Sequence, residues 1–145
     1  MLFPRSVCAV CLLVVLLGCG AEKPKSVTVS ITPASATMAA GDVLPLKGNS
    51  TGFTDTPSVG WYVEETTRDN NNYCGTDYDE RPPDTGSCPC GYVMFNKSDT
   101  GTPSTAYYHA PAVPGTCHIR FWAIQMYNYE IQAFQDVVAE VTVTP

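Results

Sequence analysis

Val59-Gly60-Trp61-Tyr62-Val63 sets apolar side chains at every second position around a central tryptophan. Neighbouring side chains of a strand point to opposite faces, so this stretch reads as a half-buried strand with Val59, Trp61 and Val63 on the covered side. The same alternation recurs on both flanks. Upstream, Val27, Val29 and Ile31 alternate with Thr28, Ser30 and Thr32. Pro33-Ala34-Ser35 breaks that run, and Ala40-Gly41-Asp42 turns the chain into a second strand near 43–47. Pro45 within it has no N–H to give to a ladder, which predicts an edge position or a bulge. Downstream, Cys117, Ile119 and Phe121 alternate, as do Val137, Ala139, Val141 and Val143. Neither a sustained helical period nor an internal repeat is present. Short alternating strands separated by turn signals predict an all-β chain built as a β-sandwich.

Between 66 and 104 the pattern lapses. Asn, Asp, Gly, Pro, Ser and Thr dominate, interrupted by Tyr92-Val93-Met94-Phe95. A structureless stretch of this length is unusual inside a compact domain. It reads as an insertion carrying one short strand and pinned by disulfides.

The amino terminus carries a different signal. One cation, Arg5, precedes eleven uncharged residues from Val7 to Leu17, and Gly18-Cys19 follows. That is the order of an export signal: basic, apolar, then a small residue at the cut. The run is too short for a spanning helix, which needs about 20 apolar residues. Leu16-Leu17-Gly18-Cys19 resembles the lipobox of bacterial lipoproteins. The resemblance implies that residues 1–18 are removed and that Cys19 becomes an acylated first residue. It also implies an exported, lipid-anchored location in the bacterial envelope, and Gly20 after Cys19 resembles lipoproteins of the outer membrane where a cell has two membranes. One acyl chain anchors only reversibly, whereas several hold durably. Residues 19–25 then form the anchor and linker, and 26–145 the domain.

Charge and cysteine counts fit this reading. Loss of Arg5 leaves seven cations against fourteen acids, a net charge of −7 on the 127 mature residues. So acidic a chain is a poor match for nucleic acid phosphates. Nor does it offer a polybasic patch, so lipid rather than charge would make the membrane contact. Of seven cysteines, Cys8 and Cys11 leave with the signal and Cys19 takes the lipid. Cys74, Cys88, Cys90 and Cys117 remain, an even number in an exported chain, where disulfides persist. Three pairings are open to four cysteines. Cys74–Cys88 with Cys90–Cys117 is preferred, because the first pair flanks a turn-rich polar loop and Cys90 follows it closely.

The strands also resemble bacterial immunoglobulin-like domains. The likeness lies in Val27-Thr-Val-Ser-Ile-Thr-Pro-Ala-Ser-Ala-Thr-Met-Ala-Ala-Gly41, Val59-Gly-Trp61-Tyr-Val63, Tyr108-His-Ala-Pro111-Ala-Val-Pro-Gly-Thr116 and Ala139-Glu-Val-Thr-Val-Thr-Pro145. It omits 66–104. The resemblance implies an immunoglobulin-like sandwich with Trp61 as the core tryptophan, in a spacer, adhesion or recognition role. The second strand lacks the cysteine that antibody domains use for their inter-sheet bond. Cys117 points inward by parity with Ile119 and Phe121, and is expected to meet a cysteine of the insertion.

Chemistry finds little support in the sequence. Cys88-Pro89-Cys90 has the wrong spacing for a paired-thiolate zinc site, and His109 and His118 fall in strands. Asp69, Asp77, Asp79, Glu80 and Asp84 crowd the insertion, but without the spacing of a calcium loop. Neither a nucleophile elbow nor a phosphate cradle is present. The expectation is a non-enzymatic protein without metal or cofactor beyond the covalent lipid. Aromatic residues are the better clue. Tyr107, Tyr108, Trp122, Tyr127 and Tyr129 gather late in the chain, and Trp122 points outward if Phe121 points in. Partner contact is expected from the insertion and the Trp122 face, with a protein, a glycan of the envelope or an envelope complex as the occupant.

Overall fold

Trp61 leaves its strand pointing into a core closed by two sheets. A computed structural model describes residues 26–65, 74–77, 88–98 and 100–145. The first sheet runs β1 (Thr28–Thr32), β3 (Val43–Thr51), β7 (Ser104–His109), β6 (Tyr92–Phe95) and β5 (Gly75–Asp77) from edge to edge. The second runs β2 (Ser35–Ala39), β9 (Glu130–Thr144), β8 (Gly115–Tyr127) and β4 (Ser58–Val63). All neighbours are antiparallel except β2 with β9 and β5 with β6. Among the described residues every regular element is a strand.

The alternation seen in the sequence is the alternation of burial. Val59, Trp61 and Val63 of β4 face Ala123, Phe121 and Ile119 of β8 in register, and all six are buried. Ala139, Val141 and Val143 of β9 continue this covered face opposite Ile119, Cys117 and Gly115. Ile31, Leu46, Ala106, Tyr108, Val93 and Phe95 fill the facing side from the first sheet. Full burial of a large apolar side chain contributes about 1.5–3 kcal/mol, so this shared core is the main source of stability.

The sheets come into close contact at Gly48. Its partner across the β3–β7 ladder is Ser104, and the Trp61 indole N–H donates to the Ser104 hydroxyl at 3.0 Å. A Cβ on Gly48 would lie 2.7 Å from ring atoms of both Phe121 and Trp61. Those rings pack on each other with centroids 4.6 Å apart. A bare backbone in one sheet thus makes room for two aromatic rings of the other.

Three expectations change. Pro33-Ala34-Ser35 does end the first strand, but the chain passes directly to the other sheet and pairs again as β2 alongside β9. Pro45 lies within β3 opposite Tyr107, past Lys47, where pairing with β1 stops. Its missing donor therefore leaves no β1 ladder bond unmade. The stretch 66–104, read as an insertion with one short strand, carries two in its described part. Its described parts supply β5 and β6 to the first sheet, and Cys74, Cys88, Val93 and Phe95 belong to the core. Tyr92–Phe95 is the strand expected there, whereas Gly75–Asp77 is too short and polar to alternate visibly.

The disulfides are Cys74–Cys88 and Cys90–Cys117, the pairing preferred from the sequence. Cys90 precedes β6 and Cys117 lies in β8, so the second bond joins the sheets. Beside it, the buried Tyr108 hydroxyl donates to the Cys90 carbonyl at 2.7 Å. Burial, then the nearby Glu65 charge, pushes this phenol well above its ordinary range, so it remains a neutral donor.

Gly48→Ala is expected to lower unfolding stability by about 1–3 kcal/mol, the usual cost of overpacking a close-fitted core. Gly115, also in a strand but with open space around its Cβ position, is the control: Gly115→Ala should leave the urea midpoint unchanged or raise it.

Candidate functional site

The outer face of the second sheet changes character along its length. Even-numbered residues of β8 point outward, opposite the covered Cys117, Ile119, Phe121 and Ala123. Nearest Gly115 this face is charged. His118 Nδ1 lies 2.5 Å from Glu65 Oε1, and its Nε2 is 3.8 Å from Glu140 Oε2. One step on, the Arg120 guanidinium bonds to Glu64 on one side and Asp136 of β9 on the other. These contacts link Glu64 and Glu65, just past β4, to β8 and β9. Partly exposed pairs of this kind contribute only about 0–1 kcal/mol each.

Beyond Arg120 the face becomes apolar. Trp122 stands opposite Gly60, and a Cβ there would overlap the indole, so the ring lies across β4. Ile124 follows with Phe134 opposite it, then Met126 with Ile131 opposite, after a bulge between Gln125 and Met126. Phe134, Met126 and Ile131 are exposed. Ladder pairing of β4 stops at Ile124, so beyond it β8 and β9 continue as a hairpin that pairs with no other described strand. It closes through Asn128-Tyr129, both with positive φ (49° and 65°), between the paired Tyr127 and Glu130. That is the twist of a two-residue hairpin turn, ordinarily made with glycine. Tyr129 at its tip is 98% exposed.

The hairpin root is fastened. Gln125 is buried, and its amide donates to Thr54 Oγ1 at 2.6 Å and Asp55 Oδ2 at 3.0 Å. Its carbonyl accepts from the Thr54 backbone N–H at 3.2 Å. The β3–β4 loop is thereby tied to β8 at the point where the hairpin leaves the body. That loop also borders an open groove of about 380 Å³ lined by hydroxyls, among them Ser50, Thr51, Thr56, Thr100 and Thr102.

The aromatic residues singled out in the sequence do not form one site. Tyr108 is in the core. Tyr107 is on β7, 41% exposed on the outside of the other sheet, and pairs with Pro45 and Met94. Trp122 covers β4, while Tyr127 and Tyr129 are at the hairpin tip. Ile124, Met126, Ile131 and Phe134 went unrecognised; the cue available was apolar residues on both sides of Asn128-Tyr129. Within 66–104, β5 and β6 lie in the first sheet, while Thr100 bridges Ser58 at the start of β4 in the second. Cys19 and the linker fall outside the described residues, as do Asp69, Asp79, Glu80, Asp84 and the side chain of Asp77. Among the described residues no group of three His, Cys, Asp or Glu side chains is placed to hold a metal ion, and no helix is long and apolar enough to cross a membrane. No protein-family model matches the chain, and no curated protein matches it.

The two histidines are set apart electrically. The Glu65 hydrogen bond raises the His118 pKa above its ordinary 6.5, with the Glu65, Glu64 and Glu140 charges adding to it and partial burial opposing. His109, stacked on Tyr92 with centroids 4.7 Å apart, is lowered by burial. By linkage, stability from His118 is complete below 6.5 and is lost as pH rises through its raised value. That from His109 is complete above 6.5 and is lost as pH falls through its lowered value. NMR titration should place the His118 midpoint above that of His109, and Glu65→Gln should bring down only His118. The reverse order would contradict the assigned contacts.

Proposed function

We propose that this chain is a lipid-anchored, non-catalytic binding module of the bacterial envelope, with an immunoglobulin-like sandwich as its scaffold. Strand order supports the scaffold. The sequence β1-β3-β7-β6 follows the A-B-E-D sheet of immunoglobulin domains, and β9-β8-β4 follows G-F-C. On this correspondence β2 is the first strand continued on the opposite sheet, and β5 is an addition. Trp61 holds the place of the strand-C tryptophan. Cys117 holds that of the strand-F cysteine, but its partner Cys90 comes from before strand D instead of strand B. The anchor reading is supported by Leu16-Leu17-Gly18-Cys19 and by the even set of cysteines left once Cys19 is set aside.

The observation that carries the binding role is the apolar outer face around Trp122, Ile124 and Phe134. Exposed apolar patches continuous over several residues mark sites of interaction more often than scattered ones do. These residues lie opposite the core, so the fold does not require them to be apolar. Aromatic residues on a rigid sheet supply contact area at low entropic cost. The partner proposed for this face is a protein of the same envelope, with the sandwich acting as the rigid support.

Two measurements test the reading. Cys19→Ser should move the protein from the membrane to the soluble fraction, with loss of acyl mass from the amino-terminal peptide. A photo-crosslinking residue in place of Phe134, in intact cells, should capture a discrete protein band that Trp122→Ala weakens at least several-fold. A membrane-bound chain that captures no protein, yet binds sugars on a glycan array through Trp122, would overturn the protein reading in favour of an envelope glycan.

A further inference from the structure

We propose that the tip of the β8–β9 hairpin is a second membrane contact, seated in the interfacial layer of the same bilayer that receives the Cys19 lipid. This rests on the anchor reading above. Met126, Tyr127, Tyr129 and Ile131 are between 55% and 98% exposed. The ten residues from 126 to 135 include one charge, Glu130, in a chain otherwise rich in acids. The tip serves no core: pairing with β4 has already ended at Ile124.

Geometry names the occupant. The first described residue, Ser26, lies against Gly52, since a Cβ there would strike the Ser26 carbonyl. Gly52 opens the loop whose Thr54 and Asp55 are tied to Gln125 at the hairpin root. The chain therefore joins the sandwich at the end from which the hairpin projects. Gly115, Pro111 and Gly91 are at the other end, where Gly41 N–H reaches the Pro111 carbonyl and β9 finishes.

The lengths agree. Gly20 to Lys25 is six residues, about 20 Å when fully extended. Three residues beyond Gln125 carry the hairpin about 10 Å further along the strand direction. The tip is within the span that the linker can bridge, so an anchored domain can rest on it. Lys23 and Lys25, two of the seven mature cations, are in that linker.

The chemistry suits the interface and not the hydrocarbon centre. Tyrosines favour the headgroup level, where the ring is covered and the hydroxyl stays wet. Within the overhang β8 and β9 pair with each other and, among the described residues, with no further strand. Their outer edges keep unpaired N–H and C=O groups that hydrocarbon would leave unsatisfied, so the contact is shallow. Since the domain is acidic, the attraction is apolar, and salt should leave it nearly unchanged.

The test uses the full lipidated chain in vesicles of phosphatidylethanolamine and phosphatidylglycerol, with and without brominated acyl chains. Flotation and the mass of the amino-terminal peptide report the anchor. Tryptophan emission, corrected for the parent's Trp61 and Trp122, reports the tip. In Tyr129→Trp the added indole should emit to the blue of its position in detergent-free buffer and be quenched by bromines near the carbonyl region. In Val113→Trp, at the far end, it should show neither change. An acylated, floating chain whose Tyr129→Trp indole is unquenched overturns the hairpin proposal alone. The same result with the hairpin cross-linked to a protein or a second copy overturns it in favour of that occupant. A chain without acyl mass that does not float overturns the anchor reading and, with it, the proposal.

Discussion

The two sheets hold together because the Trp61 ring of one fits over the bare Gly48 backbone of the other and bonds to Ser104. A tryptophan buried without a partner for its N–H would cost about 1–3 kcal/mol, and the Ser104 hydroxyl removes that cost. Phe121 shares the same notch, so β4 and β8 are set in depth together. With those strands fixed, β9 takes its register from β8, and β2 takes its own from β9. Tyr108 and the Cys90–Cys117 bond hold the far end, and Gln125 holds the near one. What lies beyond Gln125 is released from the core and available for contact.

Disulfides matter most where apolar residues are fewest. β5 and β6 are three and four residues long, too short to be stable alone as a two-stranded unit. Cys74–Cys88 brackets β5 and Cys90–Cys117 leads into β6, so covalent bonds position what the core alone would hold weakly. In the chain-entropy view, closing a loop of about 15 residues contributes about 3 kcal/mol. The charged end of the outer face works differently. Glu64 and Glu65, just past β4, meet Arg120 and His118 of β8, which also reach Asp136 and Glu140 of β9, in pairs solvated enough to stabilise little.

Where one face of a strand is buried, the sequence announced it. β1, β4, the first half of β8 and the last half of β9 alternate cleanly because each covers the core on one side. Past Phe121 and before Val137 the alternation fades, since Met126, Tyr127, Ile131 and Phe134 have apolar character without a core to cover. The hairpin turn was equally hidden: Asn128-Tyr129 adopts positive φ at both positions without the glycine that would have signalled it. β2, as Ser-Ala-Thr-Met-Ala, offers only Ala36 and Met38 to the interior, both partly covered. β6 was legible as Tyr92-Val93-Met94-Phe95, but the three residues of β5 lie in a polar stretch with no visible alternation. Trp122 was rightly expected on the outside, but Tyr107 and Tyr108 could not be separated from it without knowing that β7 belongs to the other sheet.

The functional account depends on polarity: the amino-terminal junction and the apolar hairpin share one end of the sandwich, with the outer face of β4, β8 and β9 rising from it. A proposed anchor at Cys19 would set that end toward the bilayer and leave the Trp122 face upright for a partner. Paramagnetic broadening tests this polarity most directly, using a nitroxide attached to Ser26→Cys in a chain also carrying Cys8→Ser, Cys11→Ser and Cys19→Ser. Amide signals of Thr54, Gln125 and the hairpin should be broadened, while those of the 111–115 loop remain sharp. Broadening of 111–115 with a sharp hairpin would place the anchor at the opposite end and contradict the account.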